Sequence, residues 1–179
     1  MKTTDFKTVK IGTKVWMAEN LNINTFRNGD AIPEAKTVME WVKAGKEKTA
    51  AWSYYNNDPK NGEKYGKLYN WHAVNDPRGL APEGWHIPSY DEFGELEMEF
   101  YEGSEKNTFK ALIVGGSSGF NSLLGGWLDE DGVFHDLEIN AGYHCDVESA
   151  INIRSDWQVA RMAGFASSGI GFSIRCLKD

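Results

Sequence analysis

From residue 109 onward, glycine cuts the chain into short apolar runs, "ALIVGG", "GFNSLLGGWL", "DEDGVFHDL" and "GFSIRCL". Runs this short, each bounded by a residue that tolerates turn geometry, read as irregular strands joined by hairpins. The second half of the chain is therefore expected to be mainly β. Within it, Trp157 and Val159 alternate with Gln158 and Ala160 as the buried and exposed faces of one strand. Gly171, Phe172, Ile174 and Cys176 fall on a final strand able to seal the fold.

The first half mixes strands with short helices. In "VKIGTKVWMAENL", Val9, Ile11, Val15 and Met17 alternate around Gly12, which predicts a tight hairpin. "TVMEWVKAGKE" spaces Val38, Trp41 and Val42 as one helix face, with Gly45 as the expected stop. "YGKLYNWHAV" reads as more helical than alternating, and the prolines and glycines of "NDPRGLAPEG" then impose a loop. Ser89 followed three residues later by Glu92 is a capping box, which predicts a helix burying Phe93, Leu96 and Phe100. Two or three helices and many short antiparallel strands make an α+β class.

At 179 residues and 41% hydrophobic content the chain can bury a core without disulfides, and a single domain over 1–179 is expected. Two cysteines, Cys145 and Cys176, are too few to staple a scaffold. No run of apolar residues is long enough for membrane insertion, and "MKTTDFKTVK" lacks the apolar stretch of a secretory leader. That points to the cytoplasm or a virion, or to the cell surface if an export signal lies upstream. The formal charge of -7, with acidic and basic residues interleaved, offers no basic stripe and excludes nucleic acid as the expected partner.

"WMAENL", "YGKLYNWHAVNDPRGLAPEGWHIPS" and the terminal "GFSIRCLKD" carry a likeness over nearly the whole chain. The sequence resembles the Fibrobacter succinogenes major paralogous domain family. The resemblance implies a C-type-lectin-like fold, related to that of formylglycine-generating enzymes. Its N- and C-terminal strands would pair, two helices would pack on them, and a second irregular sheet would carry the ligand surface. Relatives often read "GYWWSS" where residues 142–147 here are "GYHCDV". They often carry a cysteine in the segment matching "AAWSYYNND", where Ser53 stands here, which removes one partner for Cys176 and implies a reducing environment.

The resemblance also bears on function, because the variable proteins of diversity-generating retroelements share this fold. Mutation of asparagine codons at their adenines reaches almost every residue type found from 143 to 156, with Glu148 the exception. The alternative is an ordinary divergent loop. On the first reading the segment is an exposed, variable binding surface formed by Tyr143, His144, Cys145, Asp146, Val147, Asn152, Arg154, Asp156 and Gln158. Replacing Tyr143, His144, Asp146, Asn152 and Arg154 by serine is then expected to cost little stability. The expected partner is a macromolecule, preferably a protein, since tyrosine and arginine dominate such contacts. A structural or carbohydrate-associated surface module is the second reading.

Catalytic and metal readings are weaker. His144 and Cys145 are adjacent, so a strand would aim them at opposite faces. An oxidase like the formylglycine-generating enzymes would need a cysteine pair, whereas Cys176 in "SIRC" reads as core. His72 and His86 lie in aromatic-rich packing motifs, and "DEDG" at 129–132 reads as a hairpin turn rather than a calcium loop. The sugar-binding triplets Glu-Pro-Asn and Trp-Asn-Asp of calcium-dependent lectins are missing from the sequence. Trp16, Trp52, Trp71, Trp85 and Trp127 are expected mainly in the core. No catalytic residue, metal or cofactor is expected.

Overall fold

The computed structural model describes residues 6–164 and 167–179; residues 1–5, which open the stretch read for a leader, lie outside the described residues. In chain order the strands are β1 (Thr8–Ile11), β2 (Lys14–Met17), β3 (Trp52–Ser53), β4 (Leu68–Asn70), β5 (Trp85–His86), β6 (Gly125–Leu128), β7 (Phe134–Leu137), β8 (Asn140–His144), β9 (Ala150–Arg154), β10 (Val159–Met162), β11 (Gly171–Phe172) and β12 (Leu177–Lys178). The helices are α1 (Val38–Lys46), α2 (Pro59–Tyr65), α3 (Trp71–Val74), α4 (Tyr90–Glu99) and α5 (Glu105–Leu112). The architecture is mixed α+β, and no described helix is long and apolar enough to cross a membrane.

A four-stranded sheet runs β1-β2-β12-β5, so the last strand sits between the N-terminal hairpin and β5. The terminal strands thus pair, with Leu177 opposite both Trp16 and His86. An eight-stranded sheet runs β10-β9-β8-β6-β11-β4-β3, with β7 beside β6. Its pairs are antiparallel except β6 with β8.

Several local expectations hold for physical reasons visible in the chain. Ile11 pairs with Lys14 across a two-residue turn in which Gly12 adopts φ +58°. Ser89 Oγ accepts from the Glu92 amide at 3.1 Å and the Glu92 carboxylate accepts from the Ser89 amide at 2.9 Å, closing the capping box of α4. Phe93 and Leu96 are buried beneath it, while Phe100 is the C-cap.

Other expectations need correction. Gly45 does not stop α1. The helix runs through it to Lys46 with Glu47 as its C-cap, and then Lys48 turns left-handed at φ +54° and the Lys48 and Thr49 amides donate to Gly45 and Ala44. Residues 68–70 of the segment read as helical form the buried strand β4; one turn of helix follows, started by Asn70, whose side chain caps it by accepting from Ala73 N at 3.0 Å. "ALIVGG" opens on the last two residues of α5, whose buried residues Thr108, Phe109, Ala111 and Leu112 share one face, and the glycines follow the C-cap Ile113 as the exit of a helix. The final run "GFSIRC" is not one strand: β11 lies in the large sheet, the segment crosses, and β12 lies in the small one.

Arg175, inside that crossing, is fully buried. Its guanidinium donates to Asn20 Oδ1 at 2.9 Å and to the carbonyls of Met17, Phe120 and Asn121, and lies 4.4 Å over the Phe120 ring. A buried cation satisfied by carbonyl oxygens ties the N-terminal segment, the 120–121 loop and the C-terminal segment together. Trp16 and Trp52 are buried as expected, whereas Trp71, Trp85 and Trp127 are half-buried.

Candidate functional site

Strands β8, β9 and β10 are consecutive antiparallel neighbours, with Tyr143 opposite Ile151 and Arg161 opposite Asn152. Period-two alternation gives this layer two distinct faces. One face places Ala141, Tyr143, Ile151, Ile153 and Ala160 in a cluster with Phe93 and Leu96 of α4 and Phe109 and Leu112 of α5. The opposite face carries Asn140, Asn152, Arg154, Val159 and Arg161, which line a groove of about 320 Å³ closed by Trp127, Trp157, Ile170 and Phe172.

The alternation divides the expected site residues. Tyr143 is 0% exposed: its hydroxyl is 3.0 Å from Ser122 Oγ, its ring meets Phe120 edge-on at 5.7 Å, and Arg175 lies 5.6 Å away. It is a core residue, not a surface anchor. His144 is buried on the other face, donating from Nε2 to the Tyr69 carbonyl at 2.9 Å and lying 5.1 Å from the Phe172 ring. Burial, outweighing its backbone partners, lowers its imidazole to about 4, so it is neutral at physiological pH. Cys145 is buried in the helix-side cluster, and desolvation pushes its thiol up to about 12. The expectation that these three residues are exposed therefore fails, because this stretch is covered on both faces: the α4 and α5 cluster takes Tyr143 and Cys145, and Phe172 with Tyr69 closes over His144.

The remaining six expected residues are not buried. Asp146 and Val147 are exposed on the bend after β8 and do not line the groove. Asn152 and Arg154 do line it, and Asp156 and Gln158 are exposed on the adjoining turn. Arg154 donates to both carboxylate oxygens of Asp156, at 3.1 and 2.9 Å, and to Asp136 at 2.9 Å. Its guanidinium covers one face of Trp157 at 4.7 Å.

Trp157 is itself a correction. It is 64% exposed rather than buried, and Ala160, expected outside, is buried. Arg154 pairs with Val159, so residues 155–158 form the hairpin loop; Gln158 takes φ +51° and Asp156 Oδ1 accepts from the Trp157 amide. The polar flank in "RSDWQ" was the available signal for that turn. Sequence reasoning also missed Trp127, Asn140, Arg161 and Phe172, which reach the groove from four strands besides β9. Trp127 stacks on His135 at 4.5 Å and its indole donates to Asp136 at 3.3 Å.

The two thiols lie apart from one another. Cys145 and Cys176 are free, buried, and in separate core clusters. In the "DEDG" turn, Asp129 Oδ1 accepts from the amides of Asp131 and Val133 while Oδ2 is 2.7 Å from His135 Nε2. Those carboxylate oxygens hold the β6–β7 turn.

A family model described as the Fibrobacter succinogenes major domain matches residues 9–178. No curated protein and no solved structure matches the chain.

Proposed function

The chain belongs to the Fibrobacter succinogenes major domain family, and we propose that it is a single non-enzymatic ligand-binding domain, spanning residues 1–179, of C-type-lectin-like architecture. In favour of that finer architecture, β12 inserts beside the N-terminal hairpin and a second sheet of short strands lies apart from the terminal pairing. The ligand face is the groove on β8, β9 and β10.

One observation carries the functional reading. The apolar face of these strands supports the core against α4 and α5, while the opposite face presents indoles, amides and guanidinium groups around a groove. Binding groups separated in this way from the packing can change with little cost to the fold. An exposed indole beside two arginines is also the composition that concentrates energy in macromolecular contacts. In this reading, codon diversification acts on Asp146, Val147, Asn152, Arg154 and Asp156, Gln158 adds to the surface from the adjoining turn, and packing fixes Tyr143, His144 and Cys145. A near-copy of the 3′ coding segment differing at adenines, beside a reverse transcriptase gene, is the expected genomic setting. An undiversified locus removes that part of the proposal.

The site is tested by capture. The immobilised native domain and the triple variant Asn152→Ala, Trp157→Ala, Arg161→Ala are exposed to cell-surface extract, and the captured proteins and glycans are identified by mass spectrometry. The native domain is expected to retain a macromolecule that the folded triple variant releases. Equal recovery by both sinks the groove as the binding face.

A further inference from the structure

We infer that the groove recognises a neutral saccharide, with one sugar ring against the indoles of Trp127 and Trp157 and its hydroxyls on Asn140, Asn152 and Arg161. This inference rests on the binding function proposed above and adds the chemical class of the ligand.

The first support is an unmet bond. Asn140 is 4% exposed and lines the groove, its Nδ2 reaches Asn152 Oδ1 only at 3.5 Å, and among the described residues its Oδ1 has no hydrogen-bond partner. A buried acceptor left unpaired costs free energy that a donor on a ligand restores. A ligand hydroxyl, which both donates and accepts, can satisfy this amide in either orientation once the side chain turns toward the groove, whereas a carboxylate or phosphate can only accept.

The second support is charge. Arg154 is the groove's innermost cation, yet Asp136 and Asp156 already hold it through charge-assisted bonds. Arg161 lies 3.9 Å from Glu105. Two guanidinium groups thus face three carboxylates, and no excess positive charge remains to attract an anion. The same pairing occupies Asp136 and Asp156, so direct contact with the ligand is favoured over a bridging cation.

Shape supplies the third support. Trp157 has one face covered by Arg154 and, at 64% exposure, leaves the other open, while Trp127, stacked on His135 and 6.3 Å from the Phe172 ring, adds its remaining half-buried surface to the wall. Val159, Ile170 and Phe172 make the rest of the wall apolar. A volume of about 320 Å³ lies at the small end of ligand sites. A ligand that fits must be compact, must donate and accept hydrogen bonds around its rim, and must present an apolar face to the negative π-surface of an indole. A pyranose ring meets all three conditions: its hydroxyls do both, and its axial C–H groups form the apolar face.

The test is titration of the full chain, in chelator, with neutral tetrasaccharides of glucose, mannose, galactose, xylose and N-acetylglucosamine, following the indole N–H resonances by NMR. Concentrations of roughly 10 mM detect a millimolar Kd. At least one sugar is expected to shift the Trp157 and Trp127 indole signals saturably. Affinity should fall about tenfold or more in Trp157→Ala, and also in Asn152→Ala, with the melting temperature of each near native. Tetrasaccharides of glucuronic acid binding more tightly than the neutral set would overturn neutrality. If no sugar moves either signal while a peptide library does, the saccharide is refuted and the groove stands. If no sugar moves either signal and capture survives in the triple variant, both the ligand class and the site are refuted.

Discussion

Strands β8 and β9 are neighbours in one sheet, yet all five residues of β8 are buried while β9 leaves Asn152 and Arg154 partly open. The difference lies in what covers them. Phe172 lies over β8 at Gly142, where any Cβ would run into its ring, and His144 beside it is closed in by Phe172 and Tyr69. Past Gly142 and its partner Asn152 that cover ends, and the groove begins. Burial on such a sheet is set by the third layer as much as by alternation. Two adjacent strands with similar composition can therefore have opposite tolerance to change.

The comparison breaks most visibly at Tyr143. Its removal in Tyr143→Ala leaves a cavity beside Phe120 and Arg175 and orphans Ser122, and is expected to cost about 3–5 kcal/mol in chemical denaturation. A cost near zero would place the ring outside the core. Gly142→Val follows, at about 1–3 kcal/mol, because the new side chain must displace Phe172. A compensating Phe172→Ala change in the same chain should recover part of that loss, and no recovery would mean another contact limits position 142.

His144 sharpens the contrast through pH. Its folded value of about 4 lies below the ordinary value near 6.5, so the unfolded chain takes up a proton that the folded chain refuses. The stability it contributes is complete above about pH 6.5 and is lost as pH falls toward about 4. Thermal melts of the native protein should decline across that window, and His144→Gln should flatten the decline. An unchanged slope would assign the acid sensitivity to carboxylates instead. The smallest effect belongs to the open face: Asn152→Ala is expected to stay within about 0.5 kcal/mol of native stability. A loss comparable to that of Gly142→Val would show that β9 is no freer than β8.

Legibility in the sequence followed the range of the interaction. The Gly12 hairpin, the Ser89–Glu92 capping box and the "DEDG" turn were readable because each is satisfied within a few residues of itself. α5 was obscured because glycines two and three residues past its C-cap Ile113 resemble strand punctuation, although Phe109 and Leu112 have helical spacing. In the site, the stretch 143–156 was located on composition, but its residues divide between core, bend and groove. Trp127, Asn140 and Phe172 join Asn152 only because β6, β8 and β11 bring them there. The five-serine replacement illustrates the consequence. Tyr143 and His144 would carry its cost, and the other three positions almost none.

The chain by itself determined the family, through the motifs that resemble it, and also the mixed α+β class, the Gly12 and "DEDG" turns and the capped helix α4, because local hydrogen bonding and the placement of glycine fix those elements without reference to distant residues. Tertiary structure alone decided which side of β8 would be covered, that Arg175 would be buried among carbonyl oxygens, and that Trp157 would stand exposed on a turn. Each of these depends on contacts between segments far apart in sequence, where burial is set by the whole set of neighbouring layers and leaves no periodic trace in the segment itself.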